Sequence, residues 1–316
     1  MSLHDLFGRK LLLITGKGGT GKTTLAAAIG RLQAERGRRV IVVEVDNFQS
    51  ALTGPFGRTP GYQPITVAPN LDICNVTWKE ALIEWLESTV PAQRIVRMIL
   101  GNKTVQTFLD ATPGARETMV LSRILTLTEQ YDQVIVDMPA SGHAVSILRV
   151  PHVAVNLMGS GPVGQRSRAV LSLFGSDRTA LLIVGLPEEM VVNEMVELWE
   201  KLHVEVPELR TPLVVLNRAA IPTLTESERE LLERLEAATP ADRPLARELL
   251  QAGRWEAGLE ASTAEALSRL KLEIQGAEVV SFPRLGSLGG FEGGPAQVVR
   301  QLAAALARQE LAESRA

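Results

Sequence analysis

The sequence predicts an α/β fold: a doubly wound, mostly parallel sheet of about seven to eight strands, with a helical subdomain beside it. Short β-branched apolar runs alternate with helical patterns, which is how buried parallel strands joined by crossover helices read. Several of the runs end in Gly, Asp or Asn, at the carboxyl edge where open parallel sheets bind ligands. A chain of 316 residues, 45% hydrophobic and 22% charged, is long enough to bury a full core around such a sheet.

The runs come in order. "KLLLIT" (10–15) is the first strand, and the helical stretch "TLAAAIGRLQAER" follows it after a glycine-rich loop. "RVIVVEV" (39–45) is the second and "LDICNV" (71–76) the third. About sixty residues of helical spacing come next. Trp78, Ala81, Leu82, Trp85 and Leu86 make one stripe, continued by "RIVRMIL", "TVQTFL" and "ETMVLSRILTL". "QVIVDM" (133–138), "ALLIVGL" (180–186), "PLVVLN" (212–217) and "AEVVSF" (277–282) complete the strands. The insertions at about 78–130 and 220–274 are expected to form the helical subdomain. With no internal repeat, low-complexity tract or flexible linker, residues 1–316 read as a single domain.

Composition excludes several functions. A net charge of −3 lacks the basic excess of a nucleic-acid binder. The single cysteine, Cys74, lies in an apolar run and reads as a small buried hydrophobe. One thiol provides no CxxC zinc site and no internal disulfide. The N-terminal apolar stretch is too short for a signal peptide or membrane span, so a cytoplasmic protein without a stable membrane anchor is expected.

The chemistry gathers after the first strand. Gly16, Gly21, Lys22 and Thr23 satisfy G-x-x-x-x-G-K-[ST] between a strand and a helix, the context that makes the motif specific for ATP phosphates. The loop residues Gly16, Gly18, Gly19, Thr20, Gly21, Lys22, Thr23 and Thr24 would turn backbone N–H groups toward phosphate oxygens at a helix N-terminus. Lys22 would neutralise the β and γ phosphates, and Thr23 would offer a hydroxyl to Mg²⁺. Asp137, closing "QVIVD", would hold the same Mg²⁺ through water. Asp46, closing "VIVVEVD", is expected on a strand next to the first. There it would orient the attacking water, or contact Mg²⁺ directly or through water. Lys17 is a second lysine with no place in the standard motif.

These residues resemble a known class. "KGGTGKTT" is similar to the deviant Walker A of ATPases that include the arsenite-pump subunit, the tail-anchored-protein targeting ATPase, nitrogenase iron protein and the septum- and plasmid-positioning ATPases. "VDMPASGHAVSILRVP" is similar to switch II of the arsenite and tail-anchored branch, Asp-Thr-x-Pro-Thr-Gly-His-Thr-Leu-Arg. "TPGARE" (112–117) resembles that branch's Pro-Gly-x-x-Glu helix start, and "SDRTALLIVGLPEEMVVNEMVEL" its strand followed by a Pro-Glu helix. The likeness runs from about residue 10 to 220, with "VVSFPRLG" a fainter match.

The resemblance implies an ArsA-like, Mg-dependent ATPase that closes as a dimer, either of identical chains or with a paralogue. Lys17 would cross the interface to the neighbour's nucleotide. Asp46 would be the switch I acid, Asp137 with Gly142 and His143 would form switch II, and Asn217 would read the adenine edge; its bland alternative is a strand-end cap. The insert at 78–130 would handle a protein client, although its stripes are equally those of ordinary helix packing. Departures narrow the reading. Asn47, Phe48 and Gln49 replace Pro-Ala-His after Asp46, and Met138, Pro139 and Ala140 replace Thr-x-Pro. The lone cysteine removes the metalloid thiol triad, the zinc clasp and the iron–sulfur cluster of relatives in the class. Two rival functions remain: a positioning ATPase, poorly served by the C-terminal "AQVVRQLAAALARQELAESRA", and an ATP-dependent small-molecule ligase.

Overall fold

All seven predicted runs are strands in a computed structural model, which describes residues 6–47, 49–89, 114–210, 213–240, 242–285 and 294–313. They are β1 (Leu11–Thr15), β2 (Val40–Val45), β4 (Leu71–Val76), β5 (Gln133–Asp137), β6 (Thr179–Gly185), β7 (Leu213–Ala219) and β8 (Glu278–Pro283). An eighth, β3 (Ile65–Ala68), pairs antiparallel with β4 at the sheet edge. Its four residues are mostly half-exposed, so no apolar run announced it. The order is β3-β4-β2-β5-β1-β6-β7-β8, and every other neighbouring pair is parallel.

That order corrects one expectation. The second strand does not lie next to the first; β5 stands between them and pairs with both. The crossover through α1 (Lys22–Glu35) spans two strand spacings, roughly 10 Å, and the chain returns much later to fill the gap. Asp137 on β5, rather than Asp46, is therefore the strand-end carboxylate beside the glycine-rich loop.

Two apolar layers sandwich the sheet, because alternate residues of each strand point to opposite faces. Leu12, Ile14, Val40 and Val42 face α1 and α10 (Pro295–Glu313). Leu11, Leu13, Ile41 and Val43 face the other layer. That second layer contains α3 (Trp78–Thr89), α4 (Ala115–Gln130), α5 (Ser141–Met158), α6 (Pro162–Phe174), α7 (Glu189–Glu205) and the end of α9 (Pro244–Glu273). A single turn, α2 (Thr53–Phe56), follows β2 and touches α10.

The stripe on α3 points inward: Ala81, Leu82 and Leu86 are buried in the same core as the sheet, with Trp78 and Trp85 packed against it. Met119 on α4 is buried there too. The runs "RIVRMIL" and "TVQTFL", Met98, the first two residues of "TPGARE" and Phe48 lie outside the described residues. In the second insertion, α8 (Glu226–Ala238) begins with a reciprocal cap between Thr225 and Glu228 and buries no residue. It lies along α9, which itself leans on α7, β7 and β8.

One buried carboxylate ties this hairpin to the sheet. Glu260 accepts from the Thr223 N–H and hydroxyl, both at 2.8 Å, and from Arg229 Nη2 at 2.7 Å. Thr263 Oγ1 accepts the Ala220 N–H at 3.0 Å, fixing the start of the same loop. Glu260→Ala would leave a guanidinium and an amide without their acceptor, a loss of about 2–4 kcal/mol. Urea unfolding should show a matching fall in midpoint, with little change in slope.

Candidate active site

The loop after β1 is shaped by two glycines that admit no side chain. Gly16 has φ 144°, and a Cβ there would stand 2.0 Å from the Val184 carbonyl oxygen. Gly21, at φ 94°, is the residue from which α1 starts, and its Cβ would stand 2.4 Å from Asn217 Nδ2. The left-handed region and these close approaches both require glycine. Gly18 and Gly19 lie on the exposed side, with open space where a Cβ would stand.

Side chains brace the loop from within. Thr20 Oγ1 donates to the Lys17 carbonyl at 2.9 Å, and Lys22 Nζ donates to the same oxygen at 3.0 Å. Burial lowers the Lys22 ammonium pKa, with Asp137 opposing the shift. Asn217, buried at the middle of β7, donates through Nδ2 to the Thr20 carbonyl at 2.7 Å. One of its two amide hydrogens is thereby committed to the loop, which leaves the second hydrogen and Oδ1 able to meet a base edge. The cap alternative has a concrete form here, since Asn217 clamps the loop across the sheet.

Asp137 closes β5, level with Ile14 of β1. Its Oδ2 accepts the Thr23 hydroxyl in a short hydrogen bond, while Oδ1 is buried with no hydrogen-bond partner. An orphaned carboxylate oxygen next to a threonine hydroxyl is the hard oxygen donor set that suits Mg²⁺. The residues present therefore fit that ion. Burial pushes the Asp137 carboxyl up to about 6, against the Thr23 hydrogen bond and the Lys22 charge, and Glu44 adds to the rise.

Asp46 sits one residue past β2 with φ 49°. Its N–H donates to the Val76 carbonyl at 3.0 Å, and its carboxylate receives the Trp78 backbone N–H. Partial desolvation raises its pKa, opposed by that bond and by the nearby charges of Arg116 and His143. The contacts in hand join Asp46 to α3, to the first turn of α4 and to switch II, rather than to Thr23 or Asp137. His143 is exposed in the first turn of α5, where Ser141 N–H donates to the Gly16 carbonyl at 3.2 Å. The segment that resembles switch II is therefore attached to the glycine-rich loop itself.

Lys17 is held by its own chain. Nζ lies 2.6 Å from Glu194 Oε1 on α7, with both side chains more than a third exposed. Such a half-wet ion pair contributes roughly 0–1 kcal/mol, so it orients the lysine without locking it.

Sequence reasoning missed two residues. Glu194 carried no signal, being one acid among several on a surface helix. Glu44 did: it is a lone carboxylate inside the apolar run "VIVVEV". It is 1% exposed and accepts from Ser50 Oγ (2.6 Å), the Ala51 N–H (2.6 Å), the Leu52 N–H (3.0 Å) and Asn47 Nδ2 (3.3 Å). Asn75 completes the anchor, accepting the Asn47 N–H at 3.3 Å and donating to its carbonyl at 2.7 Å. The stretch after Asp46 is thus pinned by polar bonds from Glu44 and Asn75.

A family model described as "Anion-transporting ATPase" matches residues 9–173. ATPase BagA of Mycobacterium tuberculosis is 29% identical over 286 residues, covering 85% of this chain and 80% of that protein. An arsenical pump-driving ATPase of Escherichia coli is 26% identical over 264 residues, 73% of this chain and 44% of its own length. One from Acidiphilium multivorum is 26% identical over 217 residues, 60% of this chain and 36% of its own. The chain spans less than half of these two pump-driving proteins. Among the described residues, no helix is long and apolar enough to cross a membrane and no cluster of three metal-ligating side chains occurs.

Asp137 gives a pH test with a definite sign. A carboxyl raised in the folded state contributes stability that is complete below the unfolded value of 3.8 and is lost as pH climbs through about 6. Above that, its burial as an anion opposes folding. Asp137→Asn should stabilise the ligand-free protein by about 1–3 kcal/mol at pH 7.5 and give no advantage below pH 4. Thermal melts across pH 4 to 8 read the crossover.

Proposed function

Since this chain belongs to the anion-transporting ATPase family and is an ATPase, we propose that it hydrolyses ATP with Mg²⁺ as a nucleotide-closed dimer whose closure does work on a protein client or partner subunit. The observation that carries this reading is the pairing of a complete phosphate loop with Lys17, whose ammonium sits on the loop's outer side on an ion pair weak enough to exchange.

The loop's N–H groups and Lys22 bind and orient the triphosphate at the start of α1. Thr23 and Asp137 would hold Mg²⁺, which when bound neutralises charge on the β and γ phosphates. Asp46 orients the attacking water; its raised pKa suits a group that must accept a proton for part of the cycle. In a loose phosphoryl-transfer transition state, negative charge grows on the bridging oxygen that leaves with ADP, while the rest stays spread over the three γ oxygens. A second ammonium from the facing protomer lowers that barrier much as an arginine finger does. Lys17 would leave Glu194 for the partner's phosphates at closure, so a lone chain would be slow.

A protein client fits better than arsenite. Cys74, the single cysteine, is fully buried and its thiol is pushed up to about 12, so it presents no thiolate to a metalloid. Adenine would be read by Oδ1 and the remaining amide hydrogen of Asn217, the groups left after the Thr20 bond.

Lys17→Ala should bind ATP within about threefold of wild type while turnover falls by about 10²-fold or more, on the scale of a lost cationic finger. Equal turnover in the variant would end the trans assignment. Wild-type turnover per chain should rise with protein concentration, and sizing with Asp46→Asn plus ATP should trap the dimer. Arsenite and antimonite should leave the rate unchanged in a phosphate-release assay.

A further inference from the structure

Away from the loop, α3, α4 and α6 enclose a cleft of ≈250 Å³ whose charge is not balanced. Two guanidiniums and one carboxylate line it: Arg123, Arg166 and Glu84. Both oxygens of Glu84 are already used. Oε1 receives Arg123 Nη1 at 2.6 Å, and Oε2 receives the Tyr62 hydroxyl in a short bond. The Arg123 side chain is 6% exposed and lies over the Tyr62 ring, and its Nε is buried with no hydrogen-bond partner.

Arg166 has no acidic partner among the described residues. Nε donates to Ser122 Oγ at 2.8 Å, and Nη2 donates to the Ser122 carbonyl at 3.1 Å and, in a short bond, to Thr126 Oγ1. All three acceptors are neutral, and Nη1 donates to none of the described groups. Ser122 Oγ accepts from Arg166 and retains its own O–H for another acceptor. Arg166, on α6, is thus held to α4 by neutral groups and half-exposed, so its charge and its Nη1 donors face the cleft with no counter-ion among the described residues.

We propose that this cleft binds a small organic carboxylate. The net charge of the three groups is +1, which suits a monoanion better than a phosphate dianion. Nη1 of Arg166, whose two hydrogens are unspent, can donate to one carboxylate oxygen while the Ser122 hydroxyl donates to the other. The indole of Trp85 and the methyl of Ala81 supply an apolar wall for the remainder of the molecule. The cleft is formed partly by α4, whose first turn carries Arg116, one of the cations acting on Asp46. A ligand there would bear on the helix that reaches the active-site acid, so the cleft reads as an effector site.

The test uses full-length protein with saturating Mg·ADP, so that the phosphate loop is occupied, at constant ionic strength with chloride as reference. Benzoate is the probe, benzamide its neutral isostere, and inorganic phosphate and acetate are further arms. We expect saturable binding of benzoate by calorimetry and a rise in melting temperature, weaker binding of acetate, and no binding of benzamide or phosphate at the same concentrations. Arg166→Lys keeps the charge but loses the bonds to Ser122 and Thr126 that aim it, and should weaken benzoate at least tenfold; Arg166→Gln should abolish it. Benzoate and benzamide behaving alike, phosphate alone binding, or no saturation in any arm would overturn the proposal without reference to either variant's folding. Because the readout is binding, these outcomes are independent of whether Lys17 acts in trans.

Discussion

The site exists because the chain can bring its backbone closer to neighbouring groups around residues 16–21 than any side chain would permit. Gly16 runs against the Val184 carbonyl and Gly21 against the amide of Asn217. These contacts fix the curvature of the loop, and the curvature decides where its N–H groups point. The remaining features refer to that frame: Lys22 and Thr20 fold onto the Lys17 carbonyl, Asn217 holds the Thr20 carbonyl from across the sheet, and Ser141 hangs switch II on the Gly16 carbonyl. A phosphate-binding loop of this kind is a tertiary object, rigid because three strands and two helices converge on it.

Beside the loop, two acids on adjacent strands show how placement alone sets chemistry. Glu44 and Asp137 are partners in the β2–β5 register and both are buried. Glu44 is saturated by hydrogen bonds from the segment after β2 and holds that segment in shape. Asp137 receives a single hydroxyl and keeps one oxygen without a partner. Satisfied, a buried carboxylate is structure; left partly unsatisfied beside a threonine and a lysine, it has an oxygen to offer a cation. The same contrast separates Glu260, which anchors the α8–α9 hairpin, from Arg166, whose charge meets only neutral acceptors.

Coupling between nucleotide and the helical regions has a physical route in the contacts of Asp46. That residue takes a backbone N–H from the start of α3 and feels Arg116 at the start of α4. Trp78 stacks under the same Arg116, 4.8 Å from ring centroid to guanidinium. A shift of Asp46 during hydrolysis would therefore be felt by both helices. Lys17 with Glu194 ties the loop to α7 through a half-exposed pair of low strength, which the exchange of partners proposed for Lys17 would need.

The sequence by itself determined the α/β class, seven of the eight strands, the phosphate loop and the candidates Lys17, Asp46, Asp137 and Asn217. These are legible because apolar periodicity and glycine requirements are local properties of a chain. The edge strand β3 escaped, since a short, half-exposed strand leaves no apolar run. Tertiary structure alone decided that β5 separates β1 from β2, so that Asp137 and not Asp46 stands beside Thr23. It alone decided that one Asn217 amide hydrogen is spent on the loop, that Glu44 is an internal anchor, that Lys17 rests on Glu194, and that Arg166 meets no acid among the described residues. Strand order and the pairing of polar atoms depend on residues tens to hundreds of positions apart meeting in space, and no local pattern encodes which of them will meet.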